Sequence, residues 1–380
     1  MSYPVSLLNR PPAALHAWDT PQAARAACPW AQTASLEKAS QGGRAQTPAR
    51  RGGMASQSVA QLPGMPLVGL GLWKAGTGEV EQAVYQAIRA GYRHLDGACD
   101  YGNEKEVGAG IKRALDEGIC TREELWITSK LWNTYHRKEH VPLALQRTLD
   151  DLGLEYLDLY LVHFPIALKF VPFEERYPPE WTDAPGNSGQ MQLDQVPYRE
   201  TWEAMEQLKA SGKARHVGVC NLGCQMIMDI LSYCSQKPEV NQVEMHVYLQ
   251  QPQLVDFCHA SGIAVTAFSP LGAAGYLAMG PQFATEADDC FANPVLKEIA
   301  AAKGKTPAQV CLRYQVQRGV SVIPKSTRPE RLRENLDVLS FELSAEEMER
   351  IAGLDRGRRF NDPGVFAKGW GMLAGYPIYG

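Results

Sequence analysis

Residues 92–133 read YRHLDGACDYGNEKEVGAGIKRALDEGICTREELWITSKLWN. Two short runs rich in β-branched and aromatic residues, YRHLD and ELWITSK, flank a helix-forming stretch, NEKEVGAGIKRALDEG. Strand, helix, strand in that order is the unit of a parallel sheet. Each strand ends on a polar residue: Asp96 closes the first, with Tyr101 five residues later, and Lys130 closes the second. A third run, LDLYLVHF (157–164), places His163 at its end. As parallel strands of one barrel, the three would bring their C-terminal ends to a single mouth, where such barrels place their chemistry.

The same alternation extends in both directions. Upstream, SVAQL, PGMP and LVGLG (58–71) read as a hairpin whose turn is PGMP, running into the first barrel strand. GEVEQAVYQAIRAG is an amphipathic helix stopped by Gly91. Downstream come a helix around 140–152, the helix YRETWEAMEQLKASG and the strand ARHVGVC. The helix CQMIMDILSYC, the strand EVNQVEM, the helix QPQLVDFCHASG and the strand IAVTAFS follow. Thr306-Pro307 opens a further helix, GVSVIP is the eighth strand, and RPERLRENL is the helix after it. Ser344 and Glu347 form a capping box for one more helix. The expected fold is α/β, a (β/α)₈ TIM barrel with an N-terminal hairpin, extra helices and a C-terminal loop over the active site. Segment 165–197 and the tail after Asp355 have no clear period; long loops at strand ends shape binding sites.

Four residue types define the expected chemistry. Free tyrosine, with a pKa near ~10, is a poor acid at neutral pH. A nearby Lys⁺ stabilises its phenolate, an Asp holds that Lys charged, and a His orients a carbonyl. Singly, Asp96 could be a helix cap, Tyr101 a packing residue, Lys130 a surface lysine and His163 a structural histidine. Together at successive strand ends they suit delivery of a proton to a carbonyl. No residue resembles an activated nucleophile, so reduction fits better than hydrolysis. GLGLWK offers Gly69 and Gly71 but no third glycine and no helix directly after them, so it reads as a tight strand end rather than a dinucleotide fingerprint. VIPKSTRPERLREN instead sets Lys325, Ser326, Thr327 and Arg331 at a strand end and a helix N-terminus, an anion site of fixed cations, hydroxyls and free amides.

The motifs GYRHLDGACDYGNEKEVG, ELWITSKLWN, YLDLYLVHFPI, GKARHVGVCN, EVNQVEMHVYLQQ, AVTAFSPLG and VIPKSTRPERLRENL occur in the order found in the aldo-keto reductase superfamily. From about residue 57 onward the chain resembles that superfamily. HFPIALKFVPFEERYPP, DGACDYGNEKEVG and RFNDP bring it nearest to the xylose (aldose) reductases of fungal type. The resemblance implies an NADPH-preferring aldehyde and aldose reductase, with NADH as a second possible cofactor. Tyr101 would give the proton, Lys130 and Asp96 would adjust its acidity, and His163 would orient the oxygen. The anion site would hold the 2′-phosphate, with Glu334 and Asn335 reaching the adenine. Asn221, Gln242 and Phe268 match the residues that hold the nicotinamide. Cys220 stands where the family has serine, a stronger hydrogen-bond donor. Ser269 and Leu271 would meet the pyrophosphate. Trp73, Asp100, His163, Phe164 and Asn361 would line the sugar pocket. A sugar-phosphate reductase and a non-catalytic NADPH-binding relative are the alternatives.

The remaining composition sets limits. Net charge is −4 with no basic stripe, which disfavours nucleic acid, and no apolar run is long enough to span a membrane. The nine cysteines are scattered without Cys-x-x-Cys pairs or metal-ligand spacing. The expected partner is a small aldehyde or aldose, and the expected state a monomer or homodimer. Residues 1–60 carry six basic and two acidic side chains. The domain division is therefore 1–56, a disordered or transit-like extension, and 57–380, the reductase barrel. The extension is either an organellar address or the product of a start placed before Met54. The compartment is correspondingly cytoplasmic, or plastid or mitochondrial.

Overall fold

The computed structural model describes residues 60–76, 78–369, 371 and 375–379. The extension 1–56 and the start of the first arm of the expected hairpin, 58–59, lie outside the described residues. The hairpin's turn is present: Met65 N–H donates to Leu62 O at 3.1 Å. Pro63 and Gly64, the latter at φ 86°, occupy its corners, as a type II turn requires. Leu62 and Met65 pack against Trp126, Leu159, Leu161, Val240 and Ala264, closing one end of the barrel.

The strands are β1 (Leu70–Gly71), β2 (His94–Asp96), β3 (Trp126–Leu131), β4 (Leu157–Val162), β5 (Ala214–Cys220), β6 (Val240–Glu244), β7 (Ala264–Phe268) and β8 (Ser321–Val322). They are parallel and hydrogen-bonded in sequence order. A parallel bridge between Val68 and Val322 joins the last to the first, with Gly69 N–H on Val322 O and Val322 N–H on Leu67 O, both at 2.8 Å. That seam explains the two glycines of GLG. A Cβ on Gly71 would sit 2.5 Å from Ile323 O, and one on Gly69 would sit 2.8 Å from the His94 ring.

The outer helices are α1 (Val80–Ala90), α2 (Glu104–Asp116), α3 (Val141–Leu152), α4 (Tyr198–Ala210), α5 (Cys224–Tyr233), α6 (Pro252–Ala260), α7 (Pro294–Lys303), α8 (Pro307–Gln317), α9 (Pro329–Leu336), α10 (Ala345–Ala352) and the short α11 (Pro363–Phe366). Their ends follow local chemistry. Gly91 stops α1 in the left-handed region at φ 109°. Ser344 with Glu347 forms the expected capping box of α10, and the expected Thr306 cap of α8 is completed into a capping box by Gln309. Helix α7 was not among the expected elements, although Asn293-Pro294 caps its start and Gly304 its end. Among the described residues no helix is long and apolar enough to cross a membrane.

The period of two along β3 decides where its polar residues go. Ser129 meets Glu104 of α2 in the helix layer, whereas Lys130 turns inward to Asp96. Every residue of β3 and β4 is buried, as expected of strands covered on both faces. Segment 165–197 and the tail both reach the C-terminal mouth of the barrel, where Trp181, Asn361 and Phe366 share one cavity with the strand ends.

Candidate active site

Adjacent parallel strands bring Asp96 and Lys130 together. Lys130 Nζ donates to Asp96 Oδ1 at 2.5 Å and to Gly97 O at 2.7 Å. Gln242 Nε2 donates to Asp96 Oδ2 at 2.6 Å, so both carboxylate oxygens are satisfied. A buried ion pair is tolerated only with such additional hydrogen bonds. The ammonium lies 5.3 Å from the centre of the Tyr101 ring, and two of its three donors are engaged by Asp96 and Gly97.

Tyr101 is half-buried above this pair, and loss of solvation drives its hydroxyl well above the ordinary tyrosine range, with Asp96 and Asp100 adding to the shift. The expected phenolate-stabilising effect of Lys130 is outweighed by this desolvation and by the charges of Asp96 and Asp100. Tyr101 therefore keeps its proton. His163 faces it edge-on, ring centres 6.0 Å apart. His163 Nδ1 lies 3.1 Å from Asp100 Oδ1 without hydrogen-bond alignment, so both are buried polar atoms without a protein partner.

These groups line a cavity of about 870 Å³ at the mouth. Asp96, Tyr101 and His163 line it, and Lys130 lies beneath them. Trp73, Asp100, Phe164 and Asn361 line it too, as do Cys220, Asn221, Gln242, Phe268, Ser269 and Leu271. Lys325, Ser326, Thr327 and Arg331, following β8, complete the group, joined by Arg328. Glu334 and Asn335 are outside the lining: Glu334 is exposed on α9, and Asn335 is buried.

The amides have defined orientations. Asn221 Nδ2 donates to His163 O at 2.8 Å, and Gln242 Nε2 to the Asp96 carboxylate. Carbonyl and carboxylate oxygens only accept, so Asn221 Oδ1 and Gln242 Oε1 are the acceptor ends. The Cys220 thiol is held protonated by burial.

Several lining residues carried no local signal. Trp132 packs edge-on to His163 at 5.3 Å and to Trp181 at 4.8 Å, and Trp181 packs on Phe164 at 4.9 Å and Phe366 at 5.4 Å. Trp181 and Phe366 come from stretches without sequence period, the latter ending the short α11, so only the folded chain assembles this aromatic wall. Lys74 lines the cavity at φ 57°, its amine donating to Gly275 O at 3.2 Å and lowered by burial to about 8. Glu244, at the end of β6, accepts the backbone N–H groups of Phe360 and Asn361 at 2.8 Å each and so fixes the tail loop.

This geometry has counterparts of known description. The chain is 50% identical over 299 residues to the NAD(P)H-dependent D-xylose reductase of Candida tenuis, covering 79% of this chain and 92% of that one. It is 48% identical to that of Scheffersomyces stipitis, covering 79% and 93%. The aldose reductase structure from Schistosoma japonicum superposes with a TM-score of 0.69 at 39% identity, covering 78% of this chain and 90% of that one. A profile of the Aldo/keto reductase family matches residues 67–356. With that match spanning the barrel from its first strand to beyond its last, the chain belongs to the aldo/keto reductase family.

Proposed function

We propose that this protein is an NADPH-preferring aldose reductase that also accepts NADH and reduces open-chain aldoses such as xylose to alditols. The observation that carries the reading is the buried Lys130–Asp96 pair beneath Tyr101, in a cavity that also holds Lys325, Ser326 and Arg331. The relatives bearing the name D-xylose reductase support the substrate class.

The lining fits the cofactor. Asn221 Oδ1 and Gln242 Oε1 suit the N–H₂ of a carboxamide, Phe268 offers a ring face, Ser269 and Leu271 lie in the loop after β7, and two cations with hydroxyls suit a phosphate. Glu334 and Asn335, on the same helix as Arg331, remain candidates for the adenine end. When bound, the reduced cofactor supplies a hydride equivalent to the carbonyl carbon. Tyr101 transfers its hydroxyl proton to the carbonyl oxygen. Lys130 then balances the phenolate left behind, and Asp96 keeps that ammonium in place. His163 orients the oxygen. Asp100 and Asn361 hydrogen-bond sugar hydroxyls, while Trp73 and Phe164 are apolar walls. We assign no metal, nucleic-acid or membrane role, and a monomer or homodimer. The eight described cysteines are all unpaired thiols, which supports a reducing compartment, the cytoplasm or an organelle.

The test is NADPH and NADH oxidation with xylose, an aldose phosphate and a simple aldehyde. Turnover of xylose, faster with NADPH, is expected. Preference for the phosphate would identify a sugar-phosphate reductase, and binding without turnover of any aldehyde a non-catalytic relative.

A further inference from the structure

Tyr379, in the tail, reaches a residue of the cavity wall. Its hydroxyl donates to Asn221 Oδ1 at 2.7 Å. Asn221 is held on its other sides as well: its N–H bonds Gln242 O at 3.0 Å, its Nδ2 bonds His163 O, and its backbone sits at φ 62°. A carboxamide oxygen has two lone pairs, so Tyr379 takes one and leaves one for a ligand. Asn221 lines the cavity and Tyr379 does not. The tyrosine thus supports the asparagine without occupying ligand space. Burial raises the Tyr379 hydroxyl above its usual range and keeps it a donor. The guanidinium of Arg359 lies 3.5 Å from the centre of the Tyr379 ring, two residues before Asn361. The tail is therefore bonded both to the loop that carries Asn361 and to the residue suited to a carboxamide.

We propose that Tyr379 is a positioning residue for the nicotinamide end of the cofactor, holding Asn221 Oδ1 where it accepts from the carboxamide. The proposal rests on the NADPH reading above. It also makes the tail part of cofactor recognition, coupled through Arg359 to the substrate loop.

Tyr379→Phe removes the hydroxyl and keeps the ring. Calorimetric titration of the full chain with NADPH, NADH and adenosine 2′,5′-bisphosphate reads the effect. NADPH and NADH should each bind about three- to tenfold more weakly, the effect of one net hydrogen bond. The bisphosphate, which lacks the nicotinamide, should bind as it does to the parent protein. Unchanged NADPH affinity would overturn the proposal, as would an equal loss for the bisphosphate, which would mean that the whole site had loosened. A parent protein that binds the bisphosphate but not NADPH would overturn the cofactor reading itself, and this proposal with it.

Discussion

Lys130 Nζ lies 2.5 Å from Asp96 Oδ1 where β3 runs beside β2, with side-chain exposures of 1% and 2%. Neither charge can turn to solvent if the other is removed. Lys130→Met should therefore destabilise the protein by roughly 3–5 kcal/mol, the cost of an uncompensated buried charge. Denaturant unfolding checks this. A loss below about 1 kcal/mol would mean that Asp96 finds another partner.

Tyr101 keeps its proton and lies over the pair, its ring centre 5.3 Å from Lys130 Nζ. Tyr101→Phe should lower kcat by about 10²–10⁴-fold, the usual worth of a positioned proton donor. NADPH affinity should stay within about threefold, because the hydroxyl is assigned to the carbonyl rather than to the nucleotide. Steady-state kinetics and fluorescence titration separate the two effects. Turnover above a few per cent of the parent would assign the proton to another group.

Arg331 follows β8 on α9, in the cavity with Lys325 and Ser326. Arg331→Ala should weaken NADPH binding about ten- to a hundredfold, from roughly 1.5–3 kcal/mol of charge-assisted hydrogen bonding. NADH has no 2′-phosphate and should change little. Equal weakening of both would place the arginine on a part of the nucleotide they share.

Glu104 is buried against Ser129, Thr148 and Tyr177, and burial raises its carboxyl from 4.5 to about 7. A raised folded-state value means that the folded protein binds the proton more tightly. Its contribution is complete below pH 4.5 and is lost as pH rises through about 7. At 1.36 kcal/mol per unit the loss is on the order of 3 kcal/mol. Glu104→Gln should remove this part of the decline, so its stability relative to the parent should rise between pH 5 and pH 8. Parallel stability curves for the two proteins would contradict it.

A chain beginning at Met54 should reduce aldehydes with the kinetics of the full chain, because the composition changes near residue 57 and the motifs all follow it. Activity assays on the two forms check this. A large loss of activity or solubility would give residues 1–53 a part in the barrel.

Much of the protein was legible in order of residues alone. Alternating strand and helix periods announce a parallel barrel, and the polar residues that end the runs at Asp96, Lys130 and His163 converge because parallel strands all finish on one side. Capping at Thr306 and Ser344 is equally local, since it depends on residues three apart. Burial and long-range approach are not local. Only the folded chain takes much of the solvent from Tyr101 and sets Asp96 and Asp100 near it, reversing the shift expected for a tyrosine beside a lysine. It alone brings Trp181 from an aperiodic stretch onto Trp132 and Phe164, Phe366 onto Trp181, and Tyr379 onto Asn221. Those contacts join residues up to 185 positions apart, as Trp181 and Phe366 do. Such pairs leave no periodicity in the sequence, because their positions are fixed by the packing of whole elements around the barrel mouth.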